Sequence, residues 1–499
     1  MSFTAELQAF SWRRGVQLLV LGGLLAFVAG QSMWLKFCVL DLDIWWHLKV
    51  GDWIIQHAAV PHTGILSRTV ANRPWVAYSW GYEVLLSLVH RWFGLVGIGF
   101  FGVLLTLAVA YSIFWMSRRL SGRFWYSCLI AVVTCAAFIY NLMPRPVFFT
   151  MALFSITLTL ILEARRTGRF QLLYWLPPLF VLWANLHIQF VYGLFLVGLL
   201  LIVSLAQGLA ARIGIQFDFL LEPTLPTGKL GAICAACFLA SCIGPYSYHL
   251  YTVVYEYSQA KLAYAMIREL QPINFRDSSH YLQLLLTGAG FFALGWRKKV
   301  DLFKLSLLAI AAMVAFRTMR DSWFICIPAA ACLADFPQAT EVTRETADNW
   351  FDRTLLAAIV TIFLLVFAPF VDFNQRGLDR AISSMYPVKA LNFLRVNPPR
   401  GPLYNNLDWG GFLTWYMPDY PVAIDGRNDL YGEELDRLFF NTERGEAYSN
   451  DPYLNESGVV LLESKLPLVK LLKSDPRFVL VYEDQLASAF VRNQTQEQK

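Results

Sequence analysis

Asp41-Leu42-Asp43-Ile44-Trp45-Trp46-His47 opens a polar stretch that runs through Pro61, Ser67 and Trp75 and closes at Trp80-Gly81-Tyr82-Glu83. It is the first long polar interruption after an apolar run at 16–39. Two aspartates stand two residues apart, among Trp45, Trp46, Trp53, Trp75, Trp80 and the histidines His47, His57 and His62. Apolar blocks on both sides make this stretch a loop between membrane spans. The rest of the chain decides what that loop belongs to.

The 499 residues are 57% hydrophobic and only 15% charged. A soluble domain carries about 25% charged residues. The apolar excess falls in blocks of spanning length, and helices or closed barrels alone satisfy the backbone in lipid. The alternating pattern of a barrel is absent. The chain therefore reads as a polytopic α-helical membrane protein with about eleven spans. These lie near 16–39, 94–116, 124–142, 146–163, 171–186, 188–208, 230–250, 281–296, 302–317, 320–335 and 354–371. Pro177-Pro178 makes the hairpin 171–208 the weakest of these.

Lysines and arginines near span ends set orientation. Arg13 and Arg14 place the N-terminus in the cytoplasm. The short loops Arg118–Arg123, Arg165–Arg169 and Arg297–Lys299 then fall on the same side, and all three are basic. The outer face receives 41–93, the turn Asn141–Pro146, the apex near His187, the loop 251–280, the turn Arg317–Asp321 and everything beyond 372. Ile44 to Ala59 reads as a helix at the membrane interface, where tryptophan is favoured. Residues 1–372 form the transmembrane domain and 373–499 a periplasmic α/β domain. Strands are expected at 402–405, 421–425, 479–482 and 489–492, a helix at 466–473, and disorder at 494–499.

The net charge of +5 is small for this length and gives no nucleic-acid surface. All eight cysteines lie in apolar segments, so Cys234 and Cys237 read as packing residues despite their CxxC spacing. Asn455-Glu456-Ser457 is a weak match to a glycosylation site.

Asp41 and Asp43 sit at the outer end of the first span. A carboxylate there faces water and lipid together and can accept a hydroxyl proton or help hold a divalent cation. The alternative is helix capping, since Asp43 precedes an apolar helical run. Arg145, between two prolines, and Arg317 with Arg320 occupy outer turns, where arginine grips a lipid phosphate or snorkels to the interface. His187, with Asn185 and Gln189, lies in apolar sequence. Such a group faces a cavity or bonds a neighbouring helix. Asp408-Trp409-Gly410-Gly411 and Asp425-Gly426-Arg427 mark the tail, as turns or as a loop carrying site residues.

The 41–47 stretch, the Trp80–Glu83 close, the Pro144-Arg145-Pro146 turn and Trp183-Ala184-Asn185-Leu186-His187 together resemble bacterial members of the GT-C superfamily of membrane glycosyltransferases. The two tail motifs resemble one uncharacterised bacterial group within it. The resemblance covers most of the chain in layout. It implies a polyprenyl-phosphate-linked sugar donor and transfer at the outer face of the bacterial inner membrane. An acidic residue at the start of the first outer loop would be the catalytic base or a ligand of a divalent cation such as Mg or Mn. Asp41 and Asp43 match that position. Arg145, Arg317 and Arg320 would hold the donor phosphate, and Glu83, His187, Asp425 and Arg427 would contact substrate. The oligosaccharyltransferase motif WWDYG is absent. The acceptor, whether glycan, lipid or protein, is open. The competing reading is a lipid or glycan transporter or a non-catalytic envelope-assembly protein. Transporters often carry internal repeats, and none is visible here.

Overall fold

The computed structural model describes residues 12–34, 41–138, 145–215, 218–259, 261–276, 278–336 and 350–493. The expected tail disorder, Cys38 and most of the Asn141–Pro146 turn lie outside these residues. The chain is a polytopic helical membrane protein with a small C-terminal α/β region. Each of the eleven expected spans coincides with a helix. They are Trp12–Trp34, Trp80–Ser121, Phe124–Ala137, Val147–Thr167, Leu176–Leu186, Phe190–Arg212, Thr227–Ser241, Ser278–Gly295, Leu302–Arg317, Trp323–Ala334 and Trp350–Phe367. Among the described residues five helical segments are long and apolar enough to cross a membrane unaided: Trp12–Trp34, Trp80–Ser121, Val147–Thr167, Phe190–Arg212 and Phe351–Val371.

Local chemistry shortens the others. Pro177 and Pro178 fall in the first turn of Leu176–Leu186, where a missing N–H costs little. The residues before them form a separate 3₁₀ turn, Phe170–Trp175. The span expected at 230–250 stops at Ser241 because Gly244-Pro245 breaks it. The Asn185 amide nitrogen donates to the Ile243 carbonyl at 2.7 Å, and a methyl on Gly244 would lie 2.4 Å from Asn185 Oδ1.

The chain divides into two compact units. The first comprises Met1–Leu35, Phe100–Ser247 and Ala265–Phe373. In it, Trp12–Trp34 packs on Trp350–Phe367 through small residues. A methyl on Gly22 would meet Ile359 at 2.5 Å, and one on Gly30 would meet Phe367 at 3.0 Å. Arg14 pairs with Asp352 across the same two helices. Arg165 grips Asp301 with two hydrogen bonds of 2.8 and 2.9 Å, tying Val147–Thr167 to the start of Leu302–Arg317.

The second unit comprises Lys36–Gly99, Tyr248–Tyr264 and Asn374–Lys499. The first polar stretch is thus part of the same compact unit as the tail. Four strands, β1 (Leu403–Asn405), β2 (Val459–Glu463), β3 (Phe478–Glu483) and β4 (Ala487–Arg492), form a sheet of order β1-β2-β4-β3. β1 and β2 run parallel; β2–β4 and β3–β4 run antiparallel. Strand β2 has a continuous apolar run, Val459 to Leu462, buried on both faces, and the alternation test passes over it. The strand expected at 421–425 is extended chain instead, with one bridge from Val422 to Ser67.

The helix expected after Asp43 forms, Ile44–His57, but its tryptophans do not make an interfacial belt. Trp45 is fully buried, with Tyr386, Phe412 and Tyr416 around it at centroid distances of 5.2 to 5.6 Å. Edge-on aromatic packing adds about 0.5–1.5 kcal/mol per pair beyond burial. The indole is a core residue of the second unit.

Candidate functional site

The turn before Ile44–His57 uses its two aspartates differently. Asp41 is 1% exposed, and its Oδ1 accepts from the Asp43 backbone N–H at 3.1 Å. That closes a local side-chain turn of the kind aspartate favours. Asp43 stands at the N-cap position, yet its φ of −81° and ψ of −20° are helical and its side chain makes no capping bond. Its Oδ1 accepts instead from Trp46 Nε1 at 3.0 Å. The capping alternative therefore does not describe Asp43.

Behind this turn lies a buried pair. Trp46 lies against the neighbouring imidazole of His47, centroids 3.6 Å apart and planes tilted by 33°. His47 Nδ1 lies 3.1 Å from Glu83 Oε1, with side-chain exposures of 7% and 1%. Glu83 occupies the first turn of Trp80–Ser121, where the helix dipole favours a carboxylate. Its side chain is 1% exposed and faces His47. Gly51 lets the two helices touch: a methyl there would lie 2.0 Å from the Glu83 carbonyl oxygen.

Both tail motifs converge on this turn. A methyl on Gly411 would lie 2.9 Å from the Leu42 carbonyl oxygen, and one on Gly410 would lie 1.9 Å from that of Ile424. A methyl on Gly426 would lie 2.3 Å from Asp43 Oδ1. The three glycines are places where another backbone or the Asp43 carboxylate occupies the volume of a side chain. Asp425 and Arg427, expected to touch substrate, are both fully buried. Arg427 donates through Nε to Asp425 Oδ1 at 2.8 Å and through Nη2 to Asp425 Oδ2 at 2.6 Å. It also donates to the Ile65 carbonyl at 2.7 Å and lies over the Trp75 ring at 4.9 Å. The pair braces the Gly426 backbone beneath Asp43.

Asp408 is a residue whose environment spacing does not reveal: its side chain is solvent-exposed, and local desolvation and the charges of Glu463 and Asp43 push its carboxyl up while Lys465 opposes them. Glu443 caps the same helix, accepting from the Leu407 N–H at 3.1 Å. Burial raises Glu443 to about 7, with help from Asp408 and Glu463. Tyr386 is raised by burial first and then by the charges of Asp41, Asp43 and Asp408. Among the described residues no group of three His, Cys, Asp or Glu side chains is placed to hold a metal ion. One Asp41 oxygen holds the Asp43 N–H, so a divalent cation here would draw on the remaining oxygens of Asp41 and Asp43.

The remaining expected site residues lie in the first unit. Arg145 pairs with Glu269 at 2.7 Å and is 22% exposed, so it is accessible but already neutralised. Arg317 is exposed and Arg320 partly so. Their neighbour Asp321 accepts from Thr318 Oγ1 at 2.8 Å and from Gln189 Nε2 at 2.9 Å. His187 is 2% exposed, and its Nδ1 lies 2.8 Å from Thr150 Oγ1, which also accepts from Trp183 Nε1 at 2.8 Å. His187 ties helices together.

No protein-family model matches the sequence. No curated protein matches it either. Solved structures do. An oligosaccharyltransferase from Archaeoglobus fulgidus, crystallised in complex with Zn and sulfate, matches at 11% identity and a TM-score of 0.50. The match covers 96% of this chain and 73% of that one. ArnT from Cupriavidus metallidurans bound to undecaprenyl phosphate matches at 13% identity and a TM-score of 0.47, over 95% of this chain and 98% of that one. Its apo form gives 14% identity and a TM-score of 0.42, over 94% and 98%. At such identities the likeness is one of fold alone: this chain is similar in fold to the archaeal oligosaccharyltransferase structure.

Proposed function

We propose that the chain is a multi-pass glycosyltransferase of a bacterial inner membrane. It moves a sugar from a polyprenyl-phosphate-linked donor to an acceptor hydroxyl at the outer face, with the N-terminus cytoplasmic and the C-terminal region periplasmic. The observation that carries the reading is the state of Asp43. Its carboxylate caps no helix; it accepts from the Trp46 indole N–H and lies beside Gly426, where a side chain would collide with it. Asp41, spent on the turn, is its positioning partner. Of the two aspartates Asp43 is the base.

In this reading Asp43 accepts the acceptor's hydroxyl proton as the oxygen attacks the anomeric carbon, and the bond to the lipid phosphate breaks. The phosphate leaves with the electron pair. Positioned general bases contribute about 10²–10⁴-fold. Stabilising charge on the departing phosphate adds to that. No step runs through a metal.

Membranes containing the protein, given a lipid-linked sugar and a cell-envelope acceptor fraction, test the reading. Asp43→Asn should lower transfer by at least about 100-fold, and mass spectrometry of cell glycans should lose one species when the gene is removed. Full transfer by Asp43→Asn would overturn the assignment of the base. Unchanged glycans alongside altered lipid-linked sugar export would favour the transporter.

A further inference from the structure

We propose that His47 and Glu83 are positioning residues for Asp43, acting through Trp46. The proposal rests on the reading of Asp43 as the base and adds the means by which its carboxylate is aimed. Four residues form one line of contact. Glu83 Oε1 lies 3.1 Å from His47 Nδ1, the His47 ring supports the Trp46 ring at 3.6 Å, and Trp46 Nε1 donates to Asp43 Oδ1 at 3.0 Å.

Each link restricts the next. A carboxylate accepts, so with Glu83 ionised Nδ1 carries the hydrogen and the imidazole plane is fixed. A fixed imidazole plane is the wall against which the indole lies, and the indole plane decides where its N–H points. The line is anchored at both ends. The His47 backbone N–H donates to the Asp43 carbonyl at 3.1 Å, one helical turn back. At the other end, a methyl on Gly51 would collide with the Glu83 carbonyl at 2.0 Å, so the helices are in register at one approach distance.

Glu83 also keeps an unpartnered buried oxygen, Oε2. An unsatisfied buried carboxylate oxygen is costly, and an apolar residue would pack there without that penalty. A glutamate at this position makes sense as the partner of His47. Its side-chain exposure of 1% removes it from direct contact with a substrate.

Carbodiimide footprinting of the purified full chain in detergent tests this without a sugar substrate. The label on Asp43 is read by peptide fragmentation and normalised to exposed Asp419. His47→Ala and Glu83→Ala should raise labelling of Asp43 about tenfold, as Trp46→Phe does, the equivalent of losing one hydrogen bond to a charged group. Glu83→Gln, which retains an acceptor oxygen, should stay within about twofold of the native chain. His47→Asn keeps a donor for Glu83 without the ring and should behave as His47→Ala, which covers a Glu83→Ala chain that fails to fold. The proposal falls if Trp46→Phe raises Asp43 labelling and the His47 variants do not. It also falls if Asp41 and Asp425 become labelled together with Asp43, because the unit would then be opening as a whole. A positive footprint with full transfer by Asp43→Asn would leave the positioning intact and remove the base.

Discussion

Gly426→Ala tests whether the tail makes room for the Asp43 carboxylate. Gly426 is not among the glycines with positive φ, so alanine fits its backbone and the substitution acts through space alone. The added methyl would stand 2.3 Å from Asp43 Oδ1 and 3.3 Å from Trp46 Nε1, and ordinary contact begins at 3.4 Å. The carboxylate must retreat by 1.1 Å, the difference between 3.4 and 2.3. That retreat breaks a 3.0 Å bond from the indole, at about 1.5–3 kcal/mol for a charged acceptor. Displacing a catalytic group by about 1 Å costs on the order of 10²-fold in rate. Overpacking lowers stability by about 1–3 kcal/mol, small enough to leave a folded chain. Transfer from a lipid-linked sugar should therefore fall about 100-fold with the melting behaviour nearly kept. The double variant with Asp43→Asn should be no slower than Asp43→Asn alone, because both act on one group. Native activity in Gly426→Ala, or two effects that multiply, would refute the reasoning.

Two further outcomes follow from the same unit and its neighbour. Burial and Asp429 raise Asp436 to about 7 against the pull of Arg73, and burial raises Asp429 to about 6 and Glu443 to about 7. All three folded values lie above the ordinary carboxyl range, so the native state binds more protons than the unfolded chain. The stability of the neutral forms is complete below about pH 4 and is lost as pH rises through 6 to 7. Thermal unfolding in detergent should show the protein less stable at pH 8 than at pH 6. Asp436→Asn should flatten that slope and stabilise the pH 8 form by up to roughly 3–4 kcal/mol; a slope unchanged by the substitution would count against the buried charge. His187→Ala should cost about 1–3 kcal/mol of stability by orphaning the Thr150 and Trp183 partners. It should leave the KM for donor unchanged in the surviving folded fraction, and a raised KM would return His187 to the substrate.

Most of the architecture was legible because it rests on local rules. Apolar length located the spans, and Pro177-Pro178 and Gly244-Pro245 account for where two helices start and stop. Strand β2 was not legible. Its four consecutive apolar residues, Val459 to Leu462, are all buried, and no alternation results. The site divides the same way. Asp41 and Asp43 could be singled out, because two carboxylates beside a span are costly and conspicuous. Which one is committed to the turn depends on which N–H each oxygen reaches, and spacing does not encode that. Arg427 looked like a ligand-binding cation after a strand. It is fully buried against Asp425, a partner two residues away that only the local backbone conformation brings within 2.6 Å.

The glycines carry the deeper lesson. Gly410, Gly411 and Gly426 read as turn residues, and glycine is permissive of turns. None of the three lies in the left-handed region. What they share is crowding: Gly410 meets the Ile424 carbonyl, Gly411 the Leu42 carbonyl and Gly426 the Asp43 carboxylate. Their requirement is for absent volume, not for unusual dihedrals, and the atoms filling that volume come from both ends of the sequence. The same holds for Gly51, whose missing side chain admits the Glu83 backbone. Four glycines thus leave space for one turn and one helix pair, while Trp45, buried among Tyr386, Phe412 and Tyr416, supplies the apolar adhesion that holds them closed. The Asp43 carboxylate is set by the Trp46 indole N–H and by the volume that Gly426 leaves, rather than by a helix cap.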